Sequence, residues 1–458
     1  MPEENQPVGT SLGSLVRDRL QGLTGTATRR RLARGAFWGG VGFVLARGVA
    51  IAVSFVLARL LGQAGFGEYG MINSTAGMIG GLAGMGIGTT VVKHVAELRT
   101  ADRDRAGRIL ALSVAVAWAS AFLYAAAFVG LAPWLAARTL AAPHLAPLLQ
   151  ISALTVAFGV INSVQVCSLT GCEAFRTNTQ LGVLCSLLQS GLVSLGAWRW
   201  GLAGAVAALA VSMVATVGIT GVFVRREWRR FQLKLLWREA RAEWRVLRDF
   251  SLPTFLSGIS VGPVLWGCSA FLANRPGGYS ELGVYNAANQ WQQVIQFLPG
   301  LLGTALLPVL SDKCGRGDWT GSLAVMWKMI RIYAVIVFPL AAGLALASPW
   351  IMRGYGESFA GGSGVLVLSV ITAALVAVMN PLGHLLAAGN RMWIGFWMNT
   401  GWGAAMLAAS WWLVRWGAEG LAAARLAAYL LHGVWTFGYI WSMRNPRPVP
   451  AGRTGVAQ

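Results

Sequence analysis

The chain runs to 458 residues, of which 55% are hydrophobic and 12% charged, where a soluble globular domain carries about 25% charged residues. With a mean hydropathy of +0.58, that composition excludes an ordinary soluble enzyme and points to a polytopic membrane protein. The net charge of +20 raises nucleic acid as a partner, which the placement of the cations, described below, argues against.

In chain order, residues 1–35 form a basic, Gly/Thr/Arg-rich cytoplasmic tail, expected to be loosely ordered at the membrane surface and without the pattern of a cleavable signal peptide. Apolar stretches of about 20 residues are long enough to cross a bilayer as helices. Twelve are predicted, at 36–58, 69–92, 109–132, 145–170, 180–198, 201–224, 250–273, 286–310, 326–348, 363–386, 392–414 and 419–442. We number them segments 1 to 12. Residues 36–224 make an N-lobe and 250–443 a C-lobe, with a cytoplasmic tail over 444–458. Between the lobes, 225–249 is a basic amphipathic cytoplasmic linker, expected to lie on the leaflet as a helix.

Positive charge sets the expected orientation. One set of alternating connections holds 29 of the Lys and Arg residues and the other holds six: Arg59, Arg138, Arg199, Arg275, Arg353 and Arg415. Every connection falls on the side that twelve crossings require, with both termini cytoplasmic. The basic excess is therefore a topology signal, with anionic membrane lipids as a secondary partner and no role for nucleic acid. The five cysteines have neither metal-ligand spacing nor a paired framework and read as packing residues. No metal site, nucleotide loop, nucleophile triad or cofactor motif is found.

The two halves repeat at an offset of 216 residues. Arg59, Gly62, Gly67, Tyr69 and Asn73 stand opposite Arg275, Gly278, Gly283, Tyr285 and Asn289 without a gap. Asp102 faces Asp318, Pro133-Trp134 faces Pro349-Trp350, and Arg199-Trp200-Gly201 faces Arg415-Trp416-Gly417. Six segments separate equivalent positions, so the repeats are parallel. The elbows after Arg59 and Arg275 lie in outer connections and read as matched hinges of an outer gate.

Candidate binding residues follow from what membrane interiors tolerate. Arg47 lies near the middle of segment 1, where an arginine costs roughly 2.5–3.5 kcal/mol, so it is expected to face a wet cavity or a partner. Arg425, about two turns into segment 12, fits snorkelling, pairing with Glu419 or function equally well. Segment 8 carries amides at Asn286, Asn289, Gln293 and Gln296 on one helical face, expected to line a lumen and to bind sugar hydroxyls. Asn73, Asn380 and His384 join more weakly. Gly80, Gly84 and Gly88 read as close helix packing. The acidic residues all fall in connections or at helix ends, which suits an anionic substrate better than a cation.

Ala58-Arg59-Leu60-Leu61-Gly62 with Phe66-Gly67-Glu68-Tyr69, Leu307-Pro308-Val309-Leu310-Ser311 with Gly317-Asp318, and Tyr355-Gly356 with Phe359 resemble motifs of the polysaccharide or O-antigen repeat-unit flippases (Wzx-like). These belong to the multidrug/oligosaccharidyl-lipid/polysaccharide exporter superfamily. The resemblance runs from about residue 36 to 442. It implies an all-α, MATE-like, V-shaped bundle of two six-helix lobes in the bacterial inner membrane. It also implies translocation of undecaprenyl-pyrophosphate-linked oligosaccharide units by alternating access, for surface polysaccharide or lipopolysaccharide biosynthesis. Arg47 would meet the pyrophosphate, Asn286, Asn289, Gln293, Gln296 and Asn73 the glycan, and Arg59 and Arg275 the outer gate. The partners implied are the polyprenyl-linked oligosaccharide, membrane lipids and other polysaccharide-assembly proteins, and no enzyme activity is expected. The related lipid II flippases carry several arginines where only Arg47 lies deep here. A drug or cation exporter, an integral-membrane glycan polymerase or ligase, and a scaffold of an envelope synthesis complex are the alternatives.

Overall fold

The computed structural model describes residues 26–84, 86–251, 261–389 and 391–442, with side chains from residue 38 onward except 249–250 and 304–305. All regular structure among these residues is helical. The helices of eight residues or more are α1 Thr26–Ala83, α2 Ile87–Leu98, α3 Arg103–Trp134, α4 Ala146–Gly171, α5 Phe175–Arg230 and α6 Val261–Ala273. They continue with α7 Gly278–Gly315, α8 Trp319–Leu346, α9 Ser348–Tyr355, α10 Ser363–Ala388, α11 Met392–Leu413 and α12 Gly417–Ser442. Both tails, apart from residues 26–35, lie outside the described residues. Residues 26–35 already belong to α1, so the helix begins earlier than the expected loose tail allows.

These helices are not one-to-one with the predicted segments. At 1.5 Å per residue the 58 residues of α1 would reach about 87 Å if straight, against a hydrocarbon core of about 30 Å. The chain solves this by breaking α1 at Gly62 (φ 69, ψ −178) and α5 at Trp200 and Gly201 (φ 60, ψ −142). A positive φ costs a glycine little, because no Cβ meets the following carbonyl. Among the described residues six helices are long and apolar enough to cross a membrane, and α7 makes a seventh if its two bent parts are one span. That is fewer than twelve, for physical reasons. Two of these helices are folded back on themselves, most of segment 7 before Val261 lies outside the described residues, and α11 and α12 are rich in Trp and Gly or carry Arg425.

The repeat recurs in the backbone. Gly417 (φ 65, ψ −143) copies Gly201 across the 216-residue offset. Asp102 caps α3 by accepting from the Arg105 N–H at 2.9 Å, and Asp318 caps α8 by accepting from the equivalent Gly321 N–H at 2.8 Å. At the elbows the copies touch. A Cβ on Gly67 would strike the Tyr279 carbonyl, and one on Gly283 would strike the carbonyl of Gln63, the counterpart of Tyr279. Gly70 likewise abuts its own counterpart, Asn286. Contacts of i with j′ and of j with i′ define a two-fold relation, so a local pseudo-dyad passes between the elbows.

The seam between the halves is built chiefly by α1 against α7, with α5 backing α1 and α10 backing α7. A 41° bend divides α7 after Gly303. Pro308 lacks the N–H that would bond the carbonyl four residues earlier, and Pro299 sits one turn before the bend, a normal cause of such kinks.

Apart from Trp118, mid-way along α3, exposed tryptophans collect at the two ends. Trp134, Trp198, Trp200, Trp350, Trp411 and Trp412 mark the elbow end, and Trp237, Trp244, Trp393, Trp397 and Trp441 mark the basic end. Indoles with this distribution form the two belts of a membrane-embedded protein.

Past Arg230 the linker is an irregular strap with short turns at Ala240–Glu243 and Trp244–Val246, rather than the expected helix. Leu233 and Ala240 are buried against the base of the N-lobe. Glu239 and Glu243 pair with Arg105 and Arg108 at 3.2–3.5 Å. Burial of the strap's leucines on protein outweighs the helical propensity that would lay them on lipid. In the α4–α5 turn, burial pushes the Cys172 thiol up to about 11, against the pull of Arg99. Cys172 is a packing residue.

Candidate functional site

Between the lobes lies a cavity of about 400 Å³ lined by both arms of α1 (Ala50, Val53, Ser54, Leu57, Phe66, Tyr69, Gly70, Asn73), by α5 (Ser186, Gln189, Ser190, Val193) and by α7 (Asn286, Asn289, Gln290, Gln293). No carboxylate is among these residues. Amides and hydroxyls from three helices face a common space across the seam, with Ser54 and Asn73 in the N-lobe opposite the α7 stripe.

Four of the five amides expected in a lumen line this cavity: Asn73, Asn286, Asn289 and Gln293. Gln296, a turn closer to the basic end, does not. Asn380 and His384 pack instead against Gly303, where a Cβ would come within 2.7 Å of His384 Nε2 and 3.2 Å of Asn380 Oδ1.

Arg47 reaches the cavity edge. Its Nη2 donates to Gln290 Oε1 at 2.8 Å and to the Gln290 backbone carbonyl, while its Nε is buried without an acceptor. The guanidinium therefore bridges the lobes. Gln290 was not among the expected site residues, although it sits four positions after Asn286 on the same helical face. Nor were Ser186, Gln189 and Ser190, whose spacing puts a polar stripe on one face of segment 5.

Arg425 makes the matching contact from the C-lobe. Its Nη1 donates to Asn289 Oδ1 at 3.0 Å and to the Tyr285 hydroxyl at 3.4 Å, and Tyr429 on its own helix is a further hydrogen-bond partner, so its partners are Asn289 and these tyrosines rather than Glu419.

The elbow end is shut. Arg59 Nε donates to the Gly354 carbonyl at 2.9 Å, and Gln63 donates to the Ser358 carbonyl. In return, Asn274 Nδ2 donates to Thr139 O at 2.6 Å and Tyr279 Oη to Leu140 O at 2.8 Å. The Arg275 backbone stands in this elbow, but the reciprocal side-chain contacts come from its neighbours. Beneath them Phe66, Tyr355 and Phe359 form an aromatic plug, with ring centroids 5.9–6.4 Å apart. Towards the basic end Phe43 stacks on Phe297 at 4.2 Å.

Asn73 also belongs to a second cavity of about 600 Å³, lined by Gly77, Gly80, Gly81, Gly84, Gly86 and Gly88 with Val156, Val160 and Ser163 of α4. A Cβ on Gly77, Gly80 or Gly81 would meet nothing within 4 Å. Close packing therefore does not explain these glycines, and that expectation is corrected. Only Gly88, against Cys167 and Ser163, is packed as expected.

A family model described as "Polysaccharide biosynthesis protein" matches residues 32–313, more than half of the chain. No curated protein sequence matches. Among solved structures, the inward-facing conformation of a multidrug resistance MATE family transporter of the MOP superfamily aligns over 89% of this chain and 96% of its own. The TM-score is 0.70 at 16% identity. The lipid II flippase MurJ in an inward closed conformation aligns over 88% of this chain and 87% of its own, with TM-score 0.66 and 12% identity. An outward-facing MATE family transporter covers 90% of this chain and 96% of its own, scoring 0.60 at 16% identity. At these identities the likeness is one of fold.

Proposed function

Because the chain belongs to the family of polysaccharide biosynthesis proteins, we propose that it is a flippase moving polyprenyl-pyrophosphate-linked oligosaccharides between leaflets of a bacterial inner membrane. The observation that carries this reading is the cavity on the seam. Its polar lining is amide and hydroxyl beside apolar residues such as Val53, Leu57 and Phe66, an arginine stands at its edge, and no carboxylate lines it. Such a surface donates to phosphate oxygens and exchanges hydrogen bonds with sugar hydroxyls, whereas a cation exporter needs anionic or acceptor-rich walls.

In this reading Arg47 meets the pyrophosphate, and Asn73, Asn286, Asn289 and Gln293 meet the first sugars together with Gln290, Ser186, Gln189 and Ser190. A cavity of about 400 Å³ is at the low end for a drug-sized ligand. It takes a head group and a sugar or two, and the glycine trough through Asn73 receives the rest of the glycan. The polyprenyl chain stays in lipid. The lobes would then rock about the α1–α7 seam, opening the elbow end as the basic end closes. Both termini are cytoplasmic in this scheme, and assembly proteins supply and consume the units.

Arg47→Ala is expected to abolish surface glycan while the protein still inserts and accumulates, with lipid-linked units retained on the cytoplasmic face. Arg47→Lys should keep part of the export. Normal surface glycan in the alanine variant would refute the assignment.

A further inference from the structure

We propose that Arg425 is a second cation serving the central cavity, a positioning residue that acts through Asn289 to make the cavity wall a set of hydrogen-bond donors for phosphate oxygens. This rests on the anionic-substrate reading above.

An arginine carries donors and no acceptor, so it can bond only the oxygen end of an amide. Arg425 Nη1 lies 3.0 Å from Asn289 Oδ1, and Gln292 Nε2 lies 2.6 Å from the same atom. Both lone pairs of that oxygen are thereby used. Asn289 lines the cavity, and the part of its amide left to offer is the NH₂ group. One residue on, Arg47 holds Gln290 Oε1 at 2.8 Å and leaves that amino group free in the same way. Asn286 Nδ2 is buried with no acceptor at all. Two amides on one face of α7, oriented by cations from opposite lobes, thus present N–H donors to one space, and a third, Asn286, keeps an unpartnered Nδ2 against Gly70 at the cavity wall.

The charges point the same way. Among the described residues no ion pair involves Arg47 or Arg425. The Nε of each is buried and unbonded. An uncompensated guanidinium in a membrane interior is costly, and an anion entering the cavity would neutralise part of that charge. A single arginine leaves most of a pyrophosphate's charge unmatched, and a second behind Asn289 supplies what Arg47 lacks.

The test uses the purified full-length protein in lipid nanodiscs, with inorganic pyrophosphate as the probe and calorimetry as the readout. Losing one charge-assisted contribution should weaken binding by about tenfold or more in Arg425→Gln, with Arg425→Lys recovering most of it. Asn289→Asp pairs the cation with a fixed carboxylate and should weaken binding at least as much, with a melting temperature unchanged or raised. Melting temperature of each unliganded variant separates lost folding from lost binding. If Arg425→Gln binds like the wild type while Arg47→Ala does not, Arg425 is structural and this inference falls, leaving the flippase reading intact. If Arg425→Gln fails to fold, Asn289→Asp decides: wild-type affinity there overturns the proposal. No binding by the wild type would remove the anionic reading itself.

Discussion

Arg47 illustrates how a half-buried cation is held by an amide where no counter-ion pairs with it among the described residues. Its hydrogen bonds to Gln290 span 243 positions of sequence and join one lobe to the other, so the arginine acts as a clamp. A phosphate group is a stronger partner for a guanidinium than a neutral amide. Ligand entry and release of the clamp are then competing states of the same side chain. Gln290→Glu is expected to convert the clamp into a permanent ion pair. The protein should melt no earlier than the wild type, bind pyrophosphate more than tenfold more weakly, and export no glycan. Export at the wild-type level would show that Arg47 never leaves α7. That segment 1 carries a deep arginine is readable in its letters. Its partner is not, because Gln290 is one of several amides in a run from Asn286 to Gln296, and only the helix rotation set by packing on α1 selects it.

The elements show the same division. The 216-residue echo is legible in the letters, because glycines that need a positive φ, such as Gly201 and Gly417, and capping aspartates have few substitutes. The structure adds that Gly67 and Gly283 lie against carbonyls of the opposite half. In the glycine run of segment 2 Gly88 is packed and Gly80 is not, since a spacing of four describes a packed helix face and an empty one equally. The linker was misread: its apolar residues mark an amphipathic element, but whether lipid or the N-lobe base covers them is decided by Glu239 and Glu243 meeting Arg105 and Arg108. The trough can be tested directly. A glycine inside a helix is about 1 kcal/mol less favourable than alanine, and leucine is nearly as good a helix former, so Gly81→Leu should melt at or above the wild-type temperature. It should nevertheless impair export, most for the longest repeat units, because its side chain fills the space beside Asn73. Loss of folding would restore the packing explanation, and unimpaired export would take the trough off the glycan's path.

At the scale of the whole molecule the pseudo-dyad makes the elbow end a reciprocal latch. Each elbow donates to backbone carbonyls of the other lobe: Arg59 and Gln63 to Gly354 and Ser358, Asn274 and Tyr279 to Thr139 and Leu140. Backbone acceptors tolerate side-chain drift, so the latch depends on the donors. Separating the lobes at this end requires the two sets to let go together, since neither elbow can swing while the other holds it. The equilibrium between closed and open elbows should then respond to the number of donors rather than to any one of them. A hydrogen bond is worth about 1 kcal/mol net, so Gln63→Ala combined with Tyr279→Phe should move the closed-to-open ratio by roughly thirtyfold. Ser190→Cys, on the cavity wall, reports the change through labelling by a membrane-impermeant maleimide added at the elbow end. The double variant should label much faster than either single variant, and pyrophosphate held at the basic end should slow it. Equal labelling in the presence and absence of the latch donors would mean that the aromatic plug of Phe66, Tyr355 and Phe359 alone closes the gate.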